Sequence, residues 1–332
     1  MSDAIVKKRK RIDWIDIAKG IGIILVIIGH TAKFGSTLRN IIFSFHMPLF
    51  FILSGFTFRR AETWREFRKK TWKDFKCLLL PMFGVFLLSA FLRFLNSGNG
   101  ELYSFLEIFK EMSKTLLYCS GVSVHNIPAL GALWFIVSMF SARLIINLLH
   151  VLIKGDKNEL ILLGLGLFGI IIGVQGYRLL FNLDVTLVAI LFLTIGILAK
   201  KHFDFITKYI SIIVLVCFVI FLEGVLSGTY IEMAARTYST FSILVSIAGT
   251  LLVCEFCKII TNFKRIKTCL AFIGANSLII FFVHHLDYYC KYFWLDNHLV
   301  LQCILRLTMC LALAISYVWI KNEFKLIRNS AN

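Results

Sequence analysis

Ten runs of apolar residues divide this chain, at about 15–32, 41–58, 77–94, 130–153, 160–177, 185–199, 210–226, 239–257, 270–286 and 299–320. Each comes close to the roughly 20 residues that a helix needs to cross the hydrocarbon core of a bilayer. The expected fold is all-α: a polytopic transmembrane helical bundle of about ten spans. It forms one membrane-embedded domain over residues 1–332, with no appended soluble domain. Composition agrees, with 58% hydrophobic and 17% charged residues and a mean hydropathy of +0.81. An average soluble domain holds about 45–50% apolar and about 25% charged residues. Only three prolines are present, which excludes a Pro-rich or disordered architecture.

The net charge of +17 raises nucleic acid as a partner, and its distribution removes that reading. With both termini on one side, the segments on that side carry 25 of the 36 Lys and Arg, and the opposite segments carry 7. Lys19, Arg93, Arg143 and Arg306 lie inside or at the edges of spans. Such an asymmetry is the positive-inside rule at work, so both termini are expected in the cytoplasm and the protein in the plasma or inner membrane. Losing one span would put the Arg59–Lys76 block and the Lys264–Lys267 cluster on opposite sides. The first run follows Lys7–Arg11 without a cleavage site and reads as a retained anchor. Cys254 and Cys257, the single CxxC, fall on a predicted helix and read as packing, with no metal expected. The long loop 95–129, with Glu101, Glu107, Glu111 and a stripe of Leu102, Phe105, Leu106 and Phe109, predicts an amphipathic helix over the outer mouth. The Arg59–Lys76 block suits contact with anionic lipid, and equally an electrostatic dock for a polyanionic substrate.

Chemistry is expected on ionisable groups placed where a membrane makes them costly. Asp16, Lys19 and His30 share the first span. At 100° per residue, Lys19 to His30 is about 20° past three turns, and Asp16 to His30 about 40° short of four. All three therefore lie on one stripe facing the bundle interior, with His30 about 16 Å deeper than Lys19. Asp16 and Lys19, three apart, can pair. A neutral histidine inside the membrane can act as a general base. A cation toward the cytoplasm can hold a phosphate while a thin arm reaches inward. Acyl-coenzyme A has that form, although a single buried histidine can also be a satisfied packing residue.

The second span adds His46, two residues before Pro48, with Ser54 and Gly55 at its cytoplasmic end. The proline permits a kink and frees a carbonyl near the histidine. A late segment, IGANSLIIFFVHHL, brings Gly274, Asn276, Ser277, His284 and His285. Asn276 and Ser277 can cap or bond across helices, and His284 falls near the face of Ser277.

The first span, FHMPLFFILSG and the NSL-to-His segment, in this order, resemble the acyltransferase-three family of integral membrane O-acyltransferases. Lys19 and His30 match the family's basic residue and histidine separated by ten residues, and Leu133–Phe135 looks like its tryptophan motif, at Trp134. The stretch FNLDVTLVAILFLTIGILAKK, with Asn182, Asp184 and Gly196, is similar to the fucose-4-O-acetylase-like branch. The resemblance implies that His30 is catalytic and that acyl groups move onto cell-surface carbohydrate. It also shows departures. Members often carry arginine shortly before the proline opening the third span; here Cys77 stands four before Pro81, with Lys73 and Lys76 as substitutes. Phe281 stands where tyrosine is frequent.

The expected mechanism uses acyl-CoA, acetyl-CoA in the first instance, as co-substrate, with no bound cofactor. Its phosphates meet Lys19 and the Arg59–Lys76 block, and His30 deprotonates an acceptor hydroxyl on a lipid-linked or surface carbohydrate. Asp16, His46 and His284 are expected to support the chemistry; Ser54, Trp134, Asn276, Ser277, Lys73 and Lys76 are expected to line the substrate. The rival class is a transporter or flippase for a lipid-linked sugar, against which stand the missing repeat symmetry, the paucity of Pro-broken helices and the family resemblance. A scaffold without chemistry leaves Lys19, His30, His46 and His284 unexplained as a set.

Overall fold

The computed structural model describes residues 11–96, 102–153, 155, 157–289 and 298–330, apart from the side chains of 102–104 and 325–330. Lys7–Lys10, Glu101 and the side chain of Leu102, named above, lie outside it. The chain is all-helical: among the described residues, extended pairing is confined to two isolated bridges, Val124 with Ile127 and Glu232 with Thr237.

The helices follow the apolar runs in order. They are α1 (Asp13–Thr31), α2 (Thr37–Phe43), α3 (His46–Phe56), α4 (Trp64–Asp74), α5 (Leu80–Asn96), α6 (Leu102–Tyr118), α7 (Trp134–Leu152) and α8 (Lys157–Val174). Then come α9 (Leu183–Lys201), α10 (Phe203–Lys208), α11 (Ile210–Leu226), α12 (Thr240–Ile260), α13 (Lys264–Ala275), α14 (Ser277–Asp287) and α15 (Leu299–Ser330). Among the described residues, eight stretches are long and apolar enough to cross a membrane. The pair α13–α14, bent by 66°, counts as a ninth if it is one span, and α11 is a shorter apolar helix.

Three interruptions have local causes. Pro48 has no N–H, so the helix leading into it cannot close its bond to Ser44, and the chain breaks between α2 and α3 at Ser44–Phe45. Pro81 likewise leaves the carbonyl of Cys77 without its i+4 donor, and residues Phe75–Leu79 widen into one π-helical stretch. The third break falls at Asn276, where the sequence alone suggested one continuous span over 270–286. Ser277 restarts the helix, and the Asn276 side chain donates back to the carbonyl of Phe272 at 2.9 Å. A run of Gly-Ala-Asn-Ser, small and turn-prone, accommodates a bend without proline.

Two crossings are closer than side chains allow. A Cβ on Gly274 of α13 would lie 1.7 Å from the carbonyl oxygen of Asp16 in α1, and one on Gly20 would lie 2.3 Å from that of Leu270. Between α3 and α9, a Cβ on Gly55 or Gly196 would meet the carbonyl oxygen of Leu193 or Ile52 at 2.0 Å. Backbone contact of this kind is how helices associate in lipid, where burial of apolar surface gives no drive. Around these crossings Phe51, Phe192, Leu49 and Ile17 are fully buried. The α6 reading holds as a helix, but Leu106 is exposed, and the helix packs inward through Phe109, Met112 and Thr115.

Gly196→Ala is expected to destabilise the purified protein by about 1–3 kcal/mol, as overpacking does. Gly164, in α8, has nothing within 4 Å of an added Cβ, so Gly164→Ala should be neutral or stabilising. Equal melting temperatures for the two variants in detergent would refute the close crossing.

Candidate active site

Two cavities open along the stripe predicted for α1. The smaller, about 430 Å³, is lined by Asp16, Lys19, Ile23 and Val26 of α1 together with Ser54, Arg143 and Ser277. The larger, about 1010 Å³, is lined by His30 with His284, His285, Asp287, Arg306 and Trp134. The α14 face divides in the same way, Ser277 and Phe281 to the small cavity and His284 to the large one. Three phenylalanines also line the smaller cavity: Phe135 lies with ring centroids 6.0 Å from Phe50 and 5.7 Å from Phe281.

In the large cavity the histidines converge. The His30 ring is exposed, but to the cavity and not to the outer surface. Its centroid lies 5.5 Å from that of His284 and 6.5 Å from that of His46. His46 is buried, and its Nδ1–H donates to the carbonyl of Ile42 at 3.0 Å, a group exposed by the break before Pro48. That bond fixes the ring orientation of His46. His284 Nδ1–H donates to Asp287 Oδ2 at 2.9 Å, and both are buried. The carboxylate of Asp287 also receives a fork from Arg306, Nε to Oδ2 at 3.0 Å and Nη2 to Oδ1 at 2.6 Å. The remaining guanidinium nitrogen donates to Thr31 Oγ1 at 3.1 Å, next in sequence to His30. Cys310 Sγ lies 3.9 Å from the same carboxylate. His284, Asp287 and Cys310 could in principle hold an ion. The Arg306 guanidinium already supplies the positive charge there, and a cation would face it directly.

The smaller cavity is lined by the charged side chains Arg11, Asp16, Lys19 and Arg143. Lys19 Nζ and Asp16 Oδ1 are 3.8 Å apart, as their spacing predicts, and Arg11 reaches Asp16 at 3.9 Å. Arg143 of α7 donates to Asp74 through Nε (2.8 Å) and Nη2 (3.1 Å), and to Ser54 Oγ at 3.2 Å. Lys73 and Lys76 are exposed and outside this lining, and Lys76 instead lies over the Trp72 ring. Arg143, which the sequence marked only as a charge inside a span, lines this cavity together with Lys19. Asn276 lines neither cavity and serves the α13–α14 bend. Trp134 and Gly131 both line the large cavity, and the φ of +66° at Gly131 suits glycine. A Cβ on Gly131 would also meet His285 Cε1 at 3.1 Å.

A second buried fork holds the rim of the large cavity. Arg236 Nε donates to Asp184 Oδ2 at 2.7 Å, Nη2 to Asn182 Oδ1 at 2.9 Å and Nη1 to Ser120 Oγ at 2.8 Å. Ion pair side chains at 1% and 0% exposure leave neither charge access to water. Arg236 thus ties the 119–130 and 229–239 segments, which carry Gly121, Glu232 and Ala234 of the lining, to the first turn of α9.

The described residues thus form an all-helical, membrane-type bundle in which His30 of α1, His46 of α3 and His284 of α14 come together beside the larger cavity. The chain belongs to the acyltransferase-3 family: the model for its acyltransferase domain matches residues 12–320. No curated protein and no solved structure matches the chain.

Asp184→Ala strands a buried guanidinium and is expected to cost about 3–5 kcal/mol. The double variant Asp184→Leu with Arg236→Met should recover part of that loss. Thermal unfolding in detergent reads both, and an unshifted Asp184→Ala would show that the fork does not hold the rim.

Proposed function

We propose that the protein is an integral membrane O-acyltransferase of ten spans, a single domain with both termini in the cytoplasm of a plasma or inner membrane. It moves an acyl group, acetyl in the first instance, from cytosolic acyl-CoA to a hydroxyl of a cell-surface or lipid-linked carbohydrate. One observation carries the reading: Lys19 and His30 sit on one stripe of α1, each lining a different cavity of the same bundle. The smaller cavity, at the basic end, suits the anionic part of CoA, with Lys19, Arg11 and Arg143 as phosphate ligands and Lys73 and Lys76 at its approach. The thioester then reaches past the phenylalanines toward His30.

His30 accepts the proton of the acceptor hydroxyl as its oxygen forms a bond to the thioester carbonyl carbon. The carbon–sulfur bond breaks, and the proton passes to the departing CoA thiolate, leaving an ester and a free thiol. Asp16 holds Lys19, and His46 and Trp134 shape the acceptor pocket. The branch resembling fucose-4-O-acetylases rests on the FNLDVT stretch, whose Asn182 and Asp184 receive the Arg236 fork. The paired cavities and the broken α13–α14 helix also suit a transporter of lipid-linked sugar. That reading requires substrate flux without acetyl-CoA consumption.

Thiol release from acetyl-CoA by protein in detergent tests the proposal. His30→Ala should lower turnover by about 10²–10⁴-fold. Lys19→Ala should instead raise KM about tenfold or more, since a charge-assisted hydrogen bond contributes roughly 1.5–3 kcal/mol. Full activity in a folded His30→Ala protein removes His30 from the chemistry.

A further inference from the structure

The fork of Arg306 on Asp287 has a consequence for the neighbouring rings. A carboxylate receiving two N–H donors from a guanidinium is ionised, and an ionised carboxylate can only accept. The short contact between Asp287 Oδ2 and His284 Nδ1, 2.9 Å, therefore requires a hydrogen on Nδ1. When His284 is neutral, its lone pair is on Nε2. That ring lines the large cavity beside His30, at a centroid distance of 5.5 Å. Two imidazoles at such a spacing are close to the separation at which one edge can donate to the other, and contacts of this kind tighten when substrate binds.

We infer that Asp287 is a positioning residue of the transfer site: it fixes the Nδ1–H form of His284, whose bare Nε2 accepts an N–H from His30. His30 is thereby held with its other nitrogen unprotonated and turned to the acceptor hydroxyl. The chain of groups runs from Asp287 carboxylate to His284, to His30, to the acceptor O–H, and it extends the logic by which a base is oriented by a third group. The proton leaving the hydroxyl stays on His30 until the CoA thiolate takes it. His284 and Asp287 end the cycle as they began. Arg306 has two parts in this arrangement. It keeps Asp287 ionised, and through Thr31 it ties the C-terminal end of α1 to the same carboxylate. His46, whose Nδ1 is committed to Ile42, is left to pack against the pair.

The inference rests on the O-acyltransfer reading, and the same assay separates the two. In thiol release from acetyl-CoA by the full-length protein, Asp287→Asn should lower kcat by about 10²-fold or more, because an amide in place of the carboxylate favours the opposite tautomer. KM for acetyl-CoA should stay within about twofold, since the smaller cavity is untouched. In a His284→Ala background the same substitution should cost less than about threefold more, the mark of residues acting as a unit. His284→Asn keeps an N–H donor for Asp287 and so protects the fold, yet has no counterpart of Nε2. It should lose kcat as His284→Ala does. Full kcat in folded Asp287→Asn or His284→Asn, with His30→Ala inactive, overturns the inference and leaves the acyltransferase reading standing. Costs that multiply in the double variant also overturn it, by showing that Asp287 acts through the fold alone. Activity untouched in every variant, His30→Ala included, overturns both.

Discussion

A carboxylate inside a membrane bundle persists only where a cation shares its site, and the contact between Asp287 and Arg306 is the case on which this architecture turns. Removing either ion from water costs several kcal/mol, which attraction offsets only when the remaining lone pairs and protons are also satisfied. Here they are: one oxygen takes Nη2, the other takes Nε and the His284 ring, and the last guanidinium nitrogen meets Thr31. Three helices, α1, α14 and α15, are tied at one point beside His30. Two similar forks recur, Arg236 with Asp184 at the rim of the same cavity and Arg143 with Asp74 beside the smaller one. The fork of Arg306 on Asp287 joins residues 19 apart in sequence, and the other two join residues 52 and 69 apart.

These forks explain why polar cavities can exist in a chain so apolar. A cavity in lipid needs walls that do not collapse, and small residues at crossings bring the helices together without filling the space between them. Gly274 against Asp16 and Gly55 against Leu193 set the helix spacing at the basic end. The bend at Asn276 then turns α14 relative to α13, so Ser277 and Phe281 face the smaller cavity while His284 and Asp287 face the larger. A straight ninth span would carry one continuous stripe. Phe50, Phe135 and Phe281 give the smaller cavity an apolar wall beside its charged side chains.

Much of this was legible in the sequence because it is periodic. The apolar runs gave the helices, and the eleven-residue spacing of Lys19 and His30 gave their common stripe, since both follow from helical geometry alone. Pro48 marked the break that exposes Ile42 to His46. What could not be read was which distant charges meet. Arg143 and Arg306 stood out as charges inside spans, but nothing local shows that Asp74 and Asp287 are their partners. Asp287 lies at the very end of its apolar run and looks like an exposed boundary residue. Lys73 and Lys76 were placed near the donor by analogy in position, and both are exposed, outside the lining of the smaller cavity.

The last helix shows how the forks and the packing depend on one another. Along α15, Gln302, Arg306, Cys310 and Ala314 are buried, one residue per turn, while Ile304, Leu313, Ile315 and Tyr317 are exposed. Beside that stripe Leu307, Met309 and Leu311 are partly buried against the core, and the fork adds a directional contact to this apolar seam. The charged fork therefore fixes the position of α15 as much as α15 presents the fork. The same contact reaches Thr31, so the register of α15 and the placement of His30 are set together. A charge buried at this cost inside a membrane bundle is the kind of group that marks a functional site, and Arg306 stands beside His30 in the lining of the same cavity.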